Sequence, residues 1–268
     1  MLDALISDTW ERGSPYEQYI GRWSRRVAPR FLSWLGIPPG QRWVDLGCGT
    51  GALAAAILDA CSPSSVVGVE PSEGFLKTAA HNLAGRATLC QGTAAAIPLD
   101  DSAADVVMSG LVLNFVPEVR AALADMARVA SGSGIVGGYV WDYADKMELI
   151  RCFWDAAVEL DPDAAKLHEG TRFPLCRPEA LIAALGDAGL RAPAVTAIDV
   201  PTAFAGFDDY WAPFLGGQGP APAYAMSLGE AARARLRERL RERLPVATDG
   251  SITLMARAWA FRASTRQG

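Results

Sequence analysis

Short apolar runs alternate with longer amphipathic stretches along this 268-residue chain. Over residues 15–35, Tyr16, Tyr19, Ile20, Trp23, Val27, Phe31 and Leu35 mostly fall three or four apart, the period of a helix. Pro29 predicts a bend or a break there, since its ring crowds the preceding turn. Apolar runs at 43–46, 64–70, 87–90, 104–109 and 135–141 predict buried strands. Helical patterns separate most of them, at 52–58, 72–83 and 118–130, and a longer one covers 147–160. Ser72 stands where an N-cap belongs. Arg177-Pro178-Glu179 opens another helix, followed by a strand at 194–200 and a last strand at 251–261. Strands alternating with helices predict an α/β architecture with a parallel sheet.

The pattern changes between the last two strands. Residues 201–249 begin with Phe204, Phe207, Tyr210, Trp211, Phe214 and Tyr224 around a glycine run. They end in a helix whose Leu236, Leu240 and Leu244 form one stripe among six arginines and two glutamates. The stripe predicts a solvated amphipathic helix rather than a nucleic-acid surface.

One stretch carries chemistry. Trp43-Val44-Asp45-Leu46-Gly47-Cys48-Gly49-Thr50-Gly51 is an apolar run, an acid and three glycines on alternate positions, and Ala52 to Leu58 continues as a helix. Glycines permit positive φ and let a ligand approach the backbone. Helix-terminal N–H groups favour polar or anionic groups. A pyrophosphate would be repelled by Asp45, whereas an ammonium would be attracted. The expected ligand therefore carries an amino group, as S-adenosyl-L-methionine does. Glu70 ends the second strand 23 residues after Gly47, close to the ~20-residue spacing at which an acid meets ribose hydroxyls.

Val44 to Gly51 resembles the first motif of the class I S-adenosylmethionine-dependent methyltransferases. Within them the chain looks most like the ubiquinone- and menaquinone-biosynthesis type, a label that covers many small-molecule acceptors. The resemblance covers about residues 15–200 and the final strand. It implies a Rossmann-like doubly wound, seven-stranded, mostly parallel sheet in a single domain, 1–268, with its core at 36–200 and 250–262. Residues 15–35 would cap it, and the aromatic, glycine-rich 201–249 would form a partial lid or else a satellite core under a long loop. The cofactor would be S-adenosyl-L-methionine, leaving S-adenosyl-L-homocysteine, bound by Asp45, Gly47, Cys48, Gly49, Gly51, Glu70, Pro71 and Ser109. Thr93 and Ala94 fall where the family holds adenine, although Thr93 replaces an aspartate common there. Tyr16, Tyr19 and Arg22 either close over the cofactor, with Arg22 on its carboxylate, or belong to a helix that only caps the core.

The acceptor side is expected from strand ends and the insertion: Asn114, Phe115, Trp141, Tyr143, Trp211 and Phe214. Asn114 and Phe115 stand where many relatives carry paired histidines. That leaves Asn114, Asp142 and Tyr143 as candidates for proton transfer.

Composition narrows the alternatives. A net charge of −5 argues against nucleic acid as partner. No apolar run reaches the ~20 residues of a membrane helix, and Met1 to Leu5 begins no secretory signal. Five scattered cysteines and two distant histidines give no metal pattern and fit a cytoplasmic protein. The expected partner is a small-molecule acceptor, and the expected state a monomer or homodimer. Two rivals remain. One is a cofactor-binding protein of the same fold that transfers no methyl group. The other, a nicotinamide-dependent oxidoreductase, would need a pyrophosphate beside Asp45.

Overall fold

The computed structural model describes residues 17–216 and 219–265. Seven strands form one sheet: β1 (Arg42–Leu46), β2 (Ser65–Glu70), β3 (Thr88–Gln91), β4 (Ala104–Gly110), β5 (Ala130–Trp141), β6 (Arg191–Phe204) and β7 (Ile252–Ser264). Their order is β3-β2-β1-β4-β5-β7-β6. The pairings β3–β2, β2–β1, β1–β4 and β4–β5 are all parallel. The ten α-helices of the described residues are α1 (Arg22–Leu35), α2 (Ala52–Ala60), α3 (Glu73–Leu83), α4 (Val119–Val129), α5 (Glu148–Leu160), α6 (Glu169–Arg172), α7 (Pro178–Asp187), α8 (Phe207–Trp211), α9 (Pro220–Ser227) and α10 (Glu230–Arg243).

The expected sheet is present, with three local differences. A π-helical turn, Glu17–Gly21, precedes α1, and α1 runs through Pro29 without a break. Ser131 to Gly134, which lie between the helical pattern at 118–130 and the apolar run at 135–141, are inside β5, whose pairing to β4 shifts register between Ala104 and Val106. A 3-10 turn, Pro162–Leu167, and the short α6 fill a stretch that carries no clear period.

The chain divides into two compact units. One comprises Ser24–Val140, Leu175–Ile198 and the described part of Ala258–Gly268. Its interior is built on the strands, where Val44, Val69, Val107 and Met108 are buried because parallel strands are covered on both faces. Phe31 of α1 meets Tyr139 of β5 edge to face at 5.0 Å. Ser72 caps α3, accepting from the Phe75 N–H at 3.3 Å.

The other unit comprises the described part of Met1–Trp23 together with Trp141–Pro174 and Asp199–Arg257. Aromatic rings form its centre. Phe214 stacks on Phe153 at 4.5 Å and meets the edges or tilted faces of Tyr19 and Tyr210 at 5.5 and 5.4 Å. The Tyr210 hydroxyl donates to the Leu149 carbonyl, as a buried phenol must if it is to keep a hydrogen bond. The Trp154 indole N–H donates to the buried Glu169 carboxylate. Leu236 and Leu240 are buried as their stripe predicts. Arg239 and Arg243 of α10 pair with Glu159, and Arg237 with Asp208. No helix among the described residues is long and apolar enough to cross a membrane.

Candidate functional site

The strand order reverses direction between β1 and β4, and in open α/β sheets ligands bind beyond the strand ends at that point. Leu46 leaves β1 there and enters the glycine turn. Gly47, Gly49 and Gly51 all have positive φ, at +70, +54 and +86°. Gly47 and Gly49 differ in what surrounds them. A Cβ on Gly47 would lie 2.6 Å from Val112 Cγ2, so this glycine is required by packing. A Cβ on Gly49 would meet nothing within 4 Å, so the space above it is open to a ligand.

The amides of the turn are largely committed within the chain. Gly47 and Cys48 donate to the Val69 carbonyl at 2.7 and 3.1 Å, and Gly51 donates to the Cys48 carbonyl. Gly49 donates to Glu70 Oε2 at 3.1 Å. At the start of α2, the Ala54 N–H donates to Asp45 Oδ2 at 3.0 Å. The anion at this helix N-terminus is thus the chain's own carboxylate. This explains physically why the motif is hostile to a pyrophosphate. It also corrects the expectation of freely available N–H groups at the helix start.

Asp45 is 1% exposed. Burial pushes its carboxyl up to about 7, the Ala54 hydrogen bond opposes this, and the field of Glu70 adds to it. Glu70 is also buried and its carboxyl is raised by desolvation, against hydrogen bonds from the Ser72 and Gly49 amides. Each Glu70 oxygen receives one amide and keeps a lone-pair direction for another donor. Cys48 is buried and its side chain packs against Gly68, so its backbone is the part within reach of a ligand. The Ser109 hydroxyl donates to the Leu46 carbonyl at 3.0 Å and ties β4 to the end of β1.

Beyond β4 the chain turns through Leu111, whose φ of +62° is unusual for a leucine and is fixed by its N–H donating to the Tyr139 carbonyl. Asn114 follows in a 3-10 turn, Leu113–Phe115. Its Nδ2 is buried without a partner among the described residues, and Phe115 beside it is partly exposed. The loop after β3 carries Thr93, exposed, and Ala94, half-buried, with Thr93 and Ala96 bridged across a tight turn. Gln91 Nε2 donates to the Pro71 carbonyl at 3.0 Å, and the Gly92 amide donates to the Glu70 carbonyl at 3.3 Å. These bonds join the start of the loop that carries Thr93 and Ala94 to the Glu70–Pro71 segment.

The remaining candidate residues have the following surroundings. Tyr16 lies outside the described residues. Tyr19 is 3% exposed, and its hydroxyl has no partner among the described residues. Arg22, expected on a ligand carboxylate, instead pairs with Asp209 at 3.1 Å and lies over the Trp23 and Phe204 rings. Asp142, a candidate base, accepts from the Asp145 amide at 3.2 Å in its own turn and is 4% exposed. Tyr143 is 3% exposed and its ring tilts against Phe173 at 5.6 Å. Trp141, Trp211 and Phe214, expected to face an acceptor, are 1%, 5% and 0% exposed. A ring as enclosed as Phe214 is core, because the aromatic residues around it leave it no surface to offer.

Residues the motifs did not single out hold the site in shape. Val112 fills the space beside Gly47, Asn82 Nδ2 donates to the Thr50 carbonyl at 2.9 Å, and Arg128 with Asp125 grips the chain after Ala96. Among the described residues no group of three or more His, Cys, Asp or Glu side chains is arranged to hold a metal ion.

Comparison with known proteins bears on what this arrangement serves. Residues 44–137 match the family model described as a methyltransferase domain. Demethylmenaquinone methyltransferase of Lactobacillus johnsonii is 31% identical over 144 residues, 52% of this chain and 59% of that protein. The match therefore spans little more than half of that relative's length. Two solved structures share the fold. Phosphoethanolamine N-methyltransferase 2 of Haemonchus contortus, in complex with S-adenosyl-L-methionine, superposes with a TM-score of 0.61 at 14% identity, over 100% of this chain and 60% of that one. The 4+2 cyclase SpnF superposes with a TM-score of 0.54 at 16% identity, over 96% of this chain and 84% of that one.

Proposed function

We propose that this chain, whose residues 44–137 match a methyltransferase-domain family, transfers a methyl group from S-adenosyl-L-methionine to a small-molecule acceptor in the cytoplasm. One observation carries the reading. The Gly49 amide is held by Glu70, while the space where a Cβ would stand on Gly49 is open. A cofactor passing over Gly49 meets backbone on one side and a carboxylate on the other. The unshared lone pairs of Glu70 suit the two hydroxyls of a ribose. Asp45 braces the turn through α2, and what negative charge its buried carboxyl keeps favours an ammonium nearby over a phosphate.

The bound cofactor supplies a methyl group already activated by its sulfonium. The chain's contribution is to orient, and well-aligned reactants are worth roughly 7–11 kcal/mol of barrier. Thr93 and Ala94 would receive the adenine, and Pro71 and Ser109 would border the ribose and turn. Asn114, whose Nδ2 has no partner among the described residues, is the polar group we assign to the acceptor, with Phe115 beside it. Asp142 accepts the Asp145 amide on one oxygen, and we assign it to holding that turn.

Calorimetry with S-adenosyl-L-homocysteine, NAD and NADP tests the cofactor assignment: the first should bind and the other two should not. Labelled S-adenosyl-L-methionine with a panel of acceptors, beginning with a demethylated naphthoquinol because of the Lactobacillus relative, tests the reaction. The SpnF likeness keeps a second reading in view, a cofactor-binding catalyst that moves no methyl group. Product formed from that panel with the labelled methyl group unconsumed would favour it.

A further inference from the structure

The loop after β3 has no large side chain of its own, and within it one tight turn is closed by the Ala96 amide donating to the Thr93 carbonyl at 3.2 Å. Gly92-Thr93-Ala94-Ala95-Ala96 contains one glycine, three alanines and an exposed threonine, and the first side chain buried after it is Ile97. Its shape is imposed from α4. Asp125 Oδ2 accepts from the Ile97 amide at 2.6 Å. Arg128 donates to the Ile97 carbonyl at 3.0 Å, the Leu99 carbonyl at 2.8 Å, Asp125 Oδ1 at 2.6 Å and Asp101 Oδ1 at 2.9 Å. One planar guanidinium thus joins two backbone carbonyls and two carboxylates. Asp125 is tied to both the guanidinium and the loop. Burial pushes its carboxyl up, but the Arg128 and Ile97 hydrogen bonds outweigh this and hold it below the ordinary carboxylate range. At the other end of the loop, Gly92 and Gln91 are stitched to Glu70 and Pro71. The loop is therefore suspended between the Glu70 segment and the Arg128–Asp125 pair.

We propose that Arg128, braced by Asp125, is a positioning residue that sets the base-facing loop 92–96 and with it the chain's preference for adenine over a purine lacking the exocyclic amine. The inference rests on the S-adenosyl-L-methionine reading above. Arg128 itself touches no ligand. It fixes where the Thr93 side chain and the Ala94 amide stand relative to Glu70. The ribose contact fixes one end of the nucleoside, and the loop decides which base edge is matched at the other. A lysine cannot replace this fork, since its compact ammonium cannot span two carbonyls and a carboxylate in one plane.

The full chain with Arg128→Lys is titrated by calorimetry with S-adenosyl-L-homocysteine and with S-inosyl-L-homocysteine, which carries hypoxanthine in place of adenine. Wild type should prefer the adenine ligand by about tenfold or more, because a site built to pair a substrate N–H rejects an analogue lacking it. In the variant that ratio should fall to within about threefold, mostly through weaker binding of the adenine ligand. A clamp that served stability alone would lower Tm and leave the ratio unchanged, and that result overturns the inference. Failure of wild type to bind S-adenosyl-L-homocysteine overturns the cofactor reading instead. Should Arg128→Lys not fold, Asp125→Asn, which keeps an acceptor for the Ile97 amide but weakens the hold on Arg128, decides by the same ratio.

Discussion

The Gly49 amide donates to Glu70 Oε2 at 3.1 Å, joining the turn after β1 to the end of β2. The same carboxylate takes the Ser72 amide on its other oxygen. Glu70 therefore shapes the site as well as offering itself to a ribose. Glu70→Ala should weaken S-adenosyl-L-homocysteine binding by about 1.5–3 kcal/mol, the range for a hydrogen bond to a charged group, and by more if the Gly49 turn relaxes. Glu70→Gln keeps an acceptor oxygen and should lose less. Calorimetry on both variants checks this, and unchanged affinity in a folded Ala variant would remove Glu70 from the site.

Two glycines of the same turn should respond in opposite ways. Gly49→Val projects into open space and should abolish cofactor binding in a chain that still folds, with a modest stability loss from its positive φ. Gly47→Ala drives a methyl group into Val112 and should lower Tm whether or not ligand is present. Circular-dichroism melts and ligand titrations on the pair separate the two effects. If Gly49→Val binds ligand normally, the open space above it is not the cofactor's path.

Asp45 predicts a pH dependence. Its carboxyl stands at about 7 when folded, against about 3.9 in an unfolded chain. The folded state holds the proton more tightly, so this stabilisation is complete below the unfolded value and disappears as pH rises through about 7. Each unit of difference is worth about 1.4 kcal/mol. Asp45→Asn removes the titration while its amide oxygen still accepts from Ala54. The variant should show a flatter fall of Tm between about pH 4 and 7 than wild type, and weaker S-adenosyl-L-homocysteine binding at neutral pH. Identical pH slopes in the two proteins would show that Asp45 does not titrate in this window.

Phe214 is fully enclosed and stacked on Phe153 at 4.5 Å. Phe214→Ala should cost about 3–5 kcal/mol, as truncation of a buried aromatic does. Urea unfolding measures it. A loss below about 1 kcal/mol would return Phe214 to the role of a surface that moves over an acceptor.

The sheet was legible because each buried strand is an apolar run and each covering helix has its period. The Glu70 contact was legible too, since a carboxylate at the end of β2 and a glycine turn after β1 are neighbours in any parallel sheet of this order. The commitment of Asp45 to Ala54 was not, because nine residues of separation do not reveal which amide a carboxylate reaches. Arg128 and Asp125 read as an ordinary i, i+3 ion pair on a helix. Their second set of partners lies about 30 positions earlier in the chain, a distance no local pattern spans. The aromatic insertion was ambiguous in a different way. Its composition suits a cover and a core equally, and only burial distinguishes them.

The place of β7 has a consequence for how the chain comes into being. This strand lies between β5 and β6, yet it is synthesised after both. While the ribosome is still making residues 252–264, β5 presents an unpaired edge in what will become the interior of the sheet. Such an edge is a template for pairing with another chain. A nonsense or frameshift lesion before Ile252 would not trim the margin of the molecule. It would leave a gap between two finished strands, and the truncated product should collect in aggregates rather than as a shortened soluble protein.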